Sequence, residues 1–331
     1  MTDQVPKHTP FQDDPAPPAD GVFHPDEAAG APEGFRCGYV AIVGLPNVGK
    51  STLLNALLGQ KLSIVTPKPQ TTRHRLLGIL TNELAQVIFL DTPGLLTPKY
   101  LLHERMMEHA ALAIGDADVI LVMVDATAPD NDGWLGQDAL VRHLKEAKAP
   151  CILLINKVDR VAKPSLLPMI QRFARHGMFR EIVPVSALRQ DGTEDVLRLL
   201  TALLPVHPPL YPPDVVSEQT ERFFVSEIVR EQVFLSCKEE IPYSTAVDVV
   251  EFRERPNEKT LIRAEIYVER SSQRGIIIGK DGSMLKKIGS AARKEAEALL
   301  QRPVYLELHV KVREEWRQKK AWLDKLGYKT P

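Results

Sequence analysis

The octapeptide GLPNVGKS, Gly44 to Ser51, lies between an apolar run, Tyr39–Val43, and a stretch of helical periodicity, Ser51–Leu58. A strand that ends in a glycine-rich loop and turns into a helix aims its backbone N–H groups at one point, at the positive end of the helix. That is a cradle for phosphate. Lys50 is spaced to bridge two phosphates, and the Ser51 hydroxyl to hold Mg²⁺. Gly44, Leu45, Pro46, Asn47, Val48, Gly49, Lys50, Ser51 and Thr52 are the expected nucleotide contacts of this loop.

Outward from the loop, short Val/Ile/Leu runs alternate with helical segments. Strands are expected near 39–43, 76–80, 86–90, 119–124, 152–155 and 182–185. Helices fall near 51–58, 102–114, 136–148, 164–175 and 193–204. Nearly continuous apolar strands separated by helices indicate an α/β fold with a mainly parallel sheet covered on both faces. Too few residues separate the runs at 76–80 and 86–90 for a crossover helix, so these two pair as an antiparallel hairpin. The alternation stops at PVHPPLYPP, Pro205–Pro213, where five prolines in nine residues dictate a stiff, extended linker. Beyond it the order is helix, strand, strand, helix, tight loop, helix, strand and a C-terminal helix.

Three further motifs follow strands. DTPG, Asp91–Gly94, supplies a carboxylate for Mg²⁺ and, at Gly94, an N–H for the terminal phosphate; Thr92, Pro93 and Leu95 complete this contact set. NKVD, Asn156–Asp159 with Lys157 and Val158 inside it, names the base. Guanine presents N1–H and N2–H₂ side by side, and the Asp159 carboxylate can accept both; adenine would leave it desolvated and unpaired. Asn156 can bond the base edge and brace the phosphate loop, with the Lys157 stem along the base plane. In the SAL loop, Ser186, Ala187 and Leu188, the Ala187 N–H is expected to meet the guanine carbonyl.

A second glycine signature, GKDG (Gly279, Lys280, Asp281, Gly282), sits between an apolar helix end, Ile276–Ile278, and a basic helix that carries Lys286 and Lys287. Glycines there let a nucleic-acid backbone approach without Cβ interference, and the lysines can neutralise phosphates. The α–β–β–α–GxxG–α–β order matches a type II KH domain, an α+β fold. Residues 270–331 hold fifteen Lys/Arg against seven Asp/Glu, whereas the whole 331-residue chain carries a net charge of −1. A near-neutral total with one basic end predicts a local polyanion-binding surface; the match to a KH module, which grips extended single-stranded nucleotides, implies RNA and not DNA as its partner. In the last segment Trp316 and Trp322 are spaced for core packing more than for base stacking, while Arg313, Arg317, Lys319 and Lys320 extend the basic footprint.

Three distant cysteines exclude a disulfide framework and a metal-ligand cluster and fit a reducing cytoplasm. No apolar run is long enough to span a membrane, and residues 1–35, rich in Pro, Asp and Ala, read as a disordered acidic tail.

The ordered set of nucleotide motifs resembles the translation-factor-related small GTPases. One such domain followed by one KH domain resembles the Era family of GTPases over residues 36–331, through PNVGKSTLLN, QTTRHR, DTPG, INKVD, VPVSAL and IIIGKDG. The resemblance implies a G domain at 36–204, a linker at 205–215 and an RNA-binding KH domain at 216–331. It implies GTP hydrolysis with Lys50, Thr72, Asp91 and Gly94 at the reacting phosphate, and Mg²⁺ on Ser51, Thr72 and Asp91. Thr72 is preferred to Thr71 by motif position, which makes Leu62–Arg75 switch I and Thr92 to about Tyr100 switch II. Leu95 stands where related switches carry a water-orienting Gln, so unaided turnover is expected on the order of 10⁻⁴ to 10⁻² s⁻¹. Relatives with an Asn at the position of Asn47 can add K⁺ at this site, here with the Thr66 region. The implied partners are small-subunit ribosomal RNA near its 3′ end and the 30S subunit. The implied setting is cytoplasmic and monomeric, with peripheral contact at the inner membrane. The rival reading is an RNA-binding assembly scaffold whose nucleotide site is only structural.

Overall fold

The computed structural model describes residues 32–128, 138–254 and 258–329. Most of the acidic tail expected at 1–35 therefore lies outside the described residues. The chain divides into two compact units. Among the described residues, the larger holds those up to Pro213 together with those from Arg317 onward, and the smaller is Asp214–Trp316. The described residues from Arg317 onward, expected as the end of the KH domain, pack with the larger unit.

In the larger unit the elements are β1 (Arg36–Gly44), α1 (Lys50–Leu58), β2 (Leu76–Thr81), β3 (Ala85–Asp91), α2 (Leu101–Asp116), β4 (Val119–Asp125), α3 (Asp138–Glu146), β5 (Cys151–Asn156), α4 (Leu166–Ala174), β6 (Glu181–Pro184) and α5 (Thr193–Leu203). The sheet order is β2-β3-β1-β4-β5-β6. All neighbours run parallel except β2 and β3, which form the expected hairpin. Asn82 makes its turn, its Oδ1 accepting from the Leu84 and Ala85 N–H groups at 2.8 Å each.

The central strands read as unbroken apolar runs because both faces are covered: every residue of β5 is buried, as is β4 up to its last position. Helix α2 buries Leu102, Met106, Ala110 and Ile114, a stripe at four-residue spacing. Each buried Leu or Ile side chain is worth about 1.5–3 kcal/mol. Register aligns the functional ends, with Ile42 opposite Asp91 and Asp125 opposite Asn156, so β1, β3, β4 and β5 deliver their motifs to one edge.

The proline-rich linker is extended, as its composition requires, but it is also strapped to the larger unit. Gln86, fully buried, accepts from the Leu210 and Tyr211 N–H groups through Oε1 and donates to Tyr211 O through Nε2.

The smaller unit contains α6 (Glu221–Ser236), β7 (Ala246–Arg253), β8 (Thr260–Val268), α7 (Ser271–Ile278), α8 (Ser283–Leu300) and β9 (Val304–Val312). Its sheet order is β7-β8-β9, with β7 and β8 antiparallel and β8 and β9 parallel. Helix α8 buries Ile288, Ala292, Ala296 and Leu300, and the two alanines leave room for α6. Trp316 is fully buried, its indole N–H donating to Ser244 O at 2.8 Å, which fulfils the core-packing expectation for that residue. A six-residue helix, α9 (Lys320–Lys325), closes the described chain and belongs to the larger unit.

Candidate functional site

A cleft of about 420 Å³ opens at the C-terminal edge of the parallel sheet. It is lined by the phosphate loop, by Thr66, Pro67, Gln70, Thr71 and Thr72 of switch I, by Gly94 and by Lys157. The Lys50 ammonium lies buried at its floor and donates to Gly44 O at 3.1 Å and Leu45 O at 3.0 Å. Burial pushes its pKa down to about 8, with the Asp91 carboxylate opposing the shift. A bound triphosphate favours the charged form.

Three hydroxyl groups converge next to Lys50. Ser51 Oγ lies 2.7 Å from Thr72 Oγ1 and donates to Asp91 Oδ2 at 2.8 Å; Ser63 Oγ donates to the same Asp91 oxygen at 3.0 Å. Thr71 turns away, pairing instead with Thr66 Oγ1 at 2.6 Å and Lys68 O at 2.8 Å. Burial raises the Asp91 carboxyl above its usual range, against Lys50 and the hydrogen bonds from Ser51 and Ser63. Its Oδ1 is buried and makes no hydrogen bond within the protein. A hard, oxygen-seeking cation such as Mg²⁺ suits this donor set.

Ser63 is not visible in the sequence reading, since KLSIVT carries no motif. The structure explains its place: Asn55 of α1 accepts from the Leu62 and Ser63 N–H groups and donates to Ser63 O, which pins the start of switch I. Asp125 is a second residue the sequence reading missed. It ends an apolar strand at the same edge as Asp91, a signal that could have found it. Burial pushes the Asp125 carboxyl up, but hydrogen bonds from Lys157 and Thr127 outweigh it and hold the group below its usual range.

Asp125 takes the Lys157 ammonium at 2.6 Å, and Lys157 also donates to Asn47 O at 2.7 Å, so the lysine stem is clamped at its tip. Asn156 uses both ends of its amide inside the protein: Nδ2 donates to Val48 O at 2.7 Å, and Oδ1 accepts from Ala187 N at 2.9 Å. The brace expected of Asn156 is present. The Ala187 N–H, expected to face the base, already has this partner, because the loop closes on Asn156. Gly49 (φ +103) leaves the room, since a Cβ there would come within 2.3 Å of Asn156 Nδ2. Asp159 is exposed in the turn after Lys157, and its Oδ1 accepts from Ser186 Oγ at 2.6 Å. Leu188 is 74 % exposed.

In switch II, Leu95 is buried and its N–H donates to Gly44 O at 3.1 Å, so the side chain at this position is core. Asn47 Nδ2 donates to Pro67 O at 3.2 Å and joins the phosphate loop to switch I.

In the smaller unit the Gly279–Gly282 loop links α7 to α8. Gly282 has φ +75 with open space where a Cβ would stand, a backbone that favours glycine. Lys280, Lys286 and Lys287 are exposed beside it, as is Ile276 at 51 %. Ile277 and Ile288 are instead fully buried. The apolar helix end Ile276–Ile278 is thus divided, Ile276 outward and its neighbour Ile277 inward.

Comparison with known proteins agrees with this geometry. A family model described as a 50S ribosome-binding GTPase matches residues 39–157, and a KH domain model matches residues 240–317. GTPase Era of Geotalea daltonii is 48 % identical over 295 residues, covering 89 % of this chain and 98 % of that protein. The chain belongs to the Era GTPase family. A chloroplastic GTPase ERA1 of Zea mays is 44 % identical, with 88 % of this chain and 70 % of that one covered. Among solved structures, an Aquifex aeolicus Era variant bound to GDP·AlF4⁻ superposes with a TM-score of 0.84 at 42 % identity, covering 89 % of this chain and all of that one. Era in complex with MgGDPNP and nucleotides 1506–1542 of 16S ribosomal RNA superposes at 0.85, with the same identity and coverage. As an Era-family member the chain is a GTPase built from a P-loop domain and a KH domain.

Proposed function

We propose that this GTPase works as a nucleotide switch that binds small-subunit ribosomal RNA near its 3′ end and assists assembly of the 30S subunit. One observation carries the reading: Thr72 of switch I sits on Ser51 of the phosphate loop, and both belong to the oxygen cluster around Asp91. A loop held closed through such a cluster responds to whether a terminal phosphate is there to complete it. Residues 36–204 handle GTP and residues 216–331 form the RNA-binding domain, with 205–215 between them.

The phosphate-loop amides and Lys50 hold the β- and γ-phosphates, and Asp159 selects guanine. Ser51, Thr72 and Asp91 hold Mg²⁺, which when bound neutralises charge on the phosphate oxygens. With Leu95 directed into the core, no side chain at that position orients water, and unaided turnover is slow. We assign K⁺ to the join between Asn47 and the Thr66–Pro67 segment, where carbonyl oxygens and the Asn47 amide are suitable hard donors; equal GTPase rates in Na⁺ and K⁺ buffers would remove that assignment. On the smaller unit, the Gly279–Gly282 loop grips the RNA backbone while Lys280, Lys286 and Lys287 neutralise phosphates. We take the protein to act in the cytoplasm as a monomer, touching the inner membrane only peripherally. Among the described residues no helix is long and apolar enough to cross a membrane.

The test is RNA affinity, measured with 16S nucleotides 1506–1542, in the GDP form and with a non-hydrolysable GTP analogue. The switch reading expects at least about a fivefold preference for one form, and faster phosphate release with RNA. Equal affinities and an unchanged rate would leave the scaffold reading.

A further inference from the structure

The C-terminal segment from Arg317 to Lys329 carries no motif, yet it packs against both switches of the larger unit. Tyr328, 2 % exposed, stacks on His74 with ring centroids 4.1 Å apart and planes 15° from parallel. The Arg317 guanidinium lies 4.6 Å from the centroid of Tyr100. Lys329 O is 2.7 Å from His109 Nε2 on α2, and Leu323 of α9 is fully buried.

These anchor points are close to the chemistry. His74 follows Thr72 by two residues, so Thr72 cannot leave Ser51 without disturbing the ring on which Tyr328 rests. Tyr100 ends switch II and stacks on His103 at 3.8 Å, and His103 Nε2 meets Gln70 Oε1 of switch I at 3.2 Å. One short segment therefore touches switch I directly through His74, and again by way of Tyr100, His103 and Gln70. Its first residue, Arg317, follows Trp316, which is buried in the smaller unit.

We propose that Tyr328 and Arg317 are positioning residues that hold the two switches in their closed arrangement, which makes the C-terminal segment a third arm of the nucleotide switch. The physical ground is differential contact. A segment that docks on the closed switches and loses its seat when they open must stabilise the nucleotide that closes them, and that nucleotide must in turn stabilise the docked segment. Because the same backbone continues into the smaller unit through Trp316, docking passes the nucleotide state along the chain to the RNA-binding loop. The inference rests on the switch reading above and names the element that does the coupling.

The experiment compares dissociation constants of the full-length protein for GDP and for a non-hydrolysable GTP analogue. Variants are Tyr328→Phe, Tyr328→Ala, His74→Ala and the Tyr328→Ala/His74→Ala pair. Loss of one stacked ring pair should lower the preference for the GTP analogue over GDP about three- to tenfold in Tyr328→Ala. Tyr328→Phe keeps the stack and should keep the wild-type ratio. The double variant should be no worse than the poorer single one, because both remove the same contact. Should Tyr328→Ala fail to fold, Arg317→Ala reads the same ratio from the other end of the segment. RNA affinity for 16S nucleotides 1506–1542 should lose its nucleotide dependence in parallel. A wild-type ratio in both Tyr328→Ala and Arg317→Ala, even with a lowered melting temperature, overturns the proposal. A wild-type protein that binds neither nucleotide would instead sink the switch reading itself.

Discussion

Asp159→Asn should turn a guanine site into a xanthine site, and the structure says why the amide cannot simply flip to rescue itself. Ser186 Oγ accepts from Arg189 N at 3.2 Å, so its own proton points at Asp159 Oδ1, 2.6 Å away. In the variant that proton still demands an acceptor. The asparagine oxygen is held at the Ser186 side, and the NH₂ group faces the base. Guanine then meets a donor where its own N–H needs an acceptor. The loss combines one hydrogen bond to a charged group, about 1.5–3 kcal/mol, with one unsatisfied donor, about 1–3 kcal/mol. Asp159 is exposed and water can relieve part of this, so about 3–4 kcal/mol is expected, roughly 150- to 1,000-fold in affinity. Xanthine carries a carbonyl where guanine carries its amino group, accepts from that NH₂ and should recover most of the loss. Titration with fluorescent GDP, XDP and ADP measures all three. A GDP constant within about threefold of wild type, or a wild-type protein that holds ADP as tightly as GDP, would refute the assignment of the carboxylate and the guanine specificity built on it.

Gly282→Asp should abolish RNA binding and spare GTP hydrolysis. The site has room for the side chain but requires φ +75, a cost of about 1–2 kcal/mol, while the new carboxylate repels the phosphate backbone; filter binding beside phosphate release reads both. Ser63→Ala should loosen Asp91 and raise the Mg²⁺ concentration needed to retain bound GDP, followed as GDP release during chelator titration; an unchanged midpoint would dismiss the contact. His103 gives a pH prediction. Burial, with Arg73, Arg317 and Lys99 adding repulsion, pushes its pKa down to about 4. The native state then takes up that proton less readily than the unfolded chain. Its contribution is complete above pH 6.5 and is lost as pH falls toward 4, by at most about 3 kcal/mol. Urea melts at pH 7 and pH 5 should diverge more in wild type than in His103→Gln.

The hairpin at 76–91 and the parallel strands around it were legible because their signals are local: loop length and continuous apolar runs. The same holds for the phosphate loop, whereas only the structure separates the neighbouring threonines, with the Thr72 hydroxyl on Ser51 and the Thr71 hydroxyl on Lys68 O. Ser63 was not legible, because its partner Asp91 is 28 residues away and its place depends on Asn55. Nor was the bond from the Ala187 N–H to Asn156 Oδ1 legible, because the two residues stand 31 positions apart.

From the sequence alone came the order of elements, the guanine-nucleotide chemistry and the glycine loop for nucleic acid, since each is encoded by residues close together in the chain. Only the tertiary structure decided where the last segment goes. Arg317 and Tyr328 look like part of a basic terminal helix, and helical periodicity is blind to a partner more than 200 residues away. Their aromatic and cation–π contacts with Tyr100 and His74 exist only once the sheet has brought both switches to one edge.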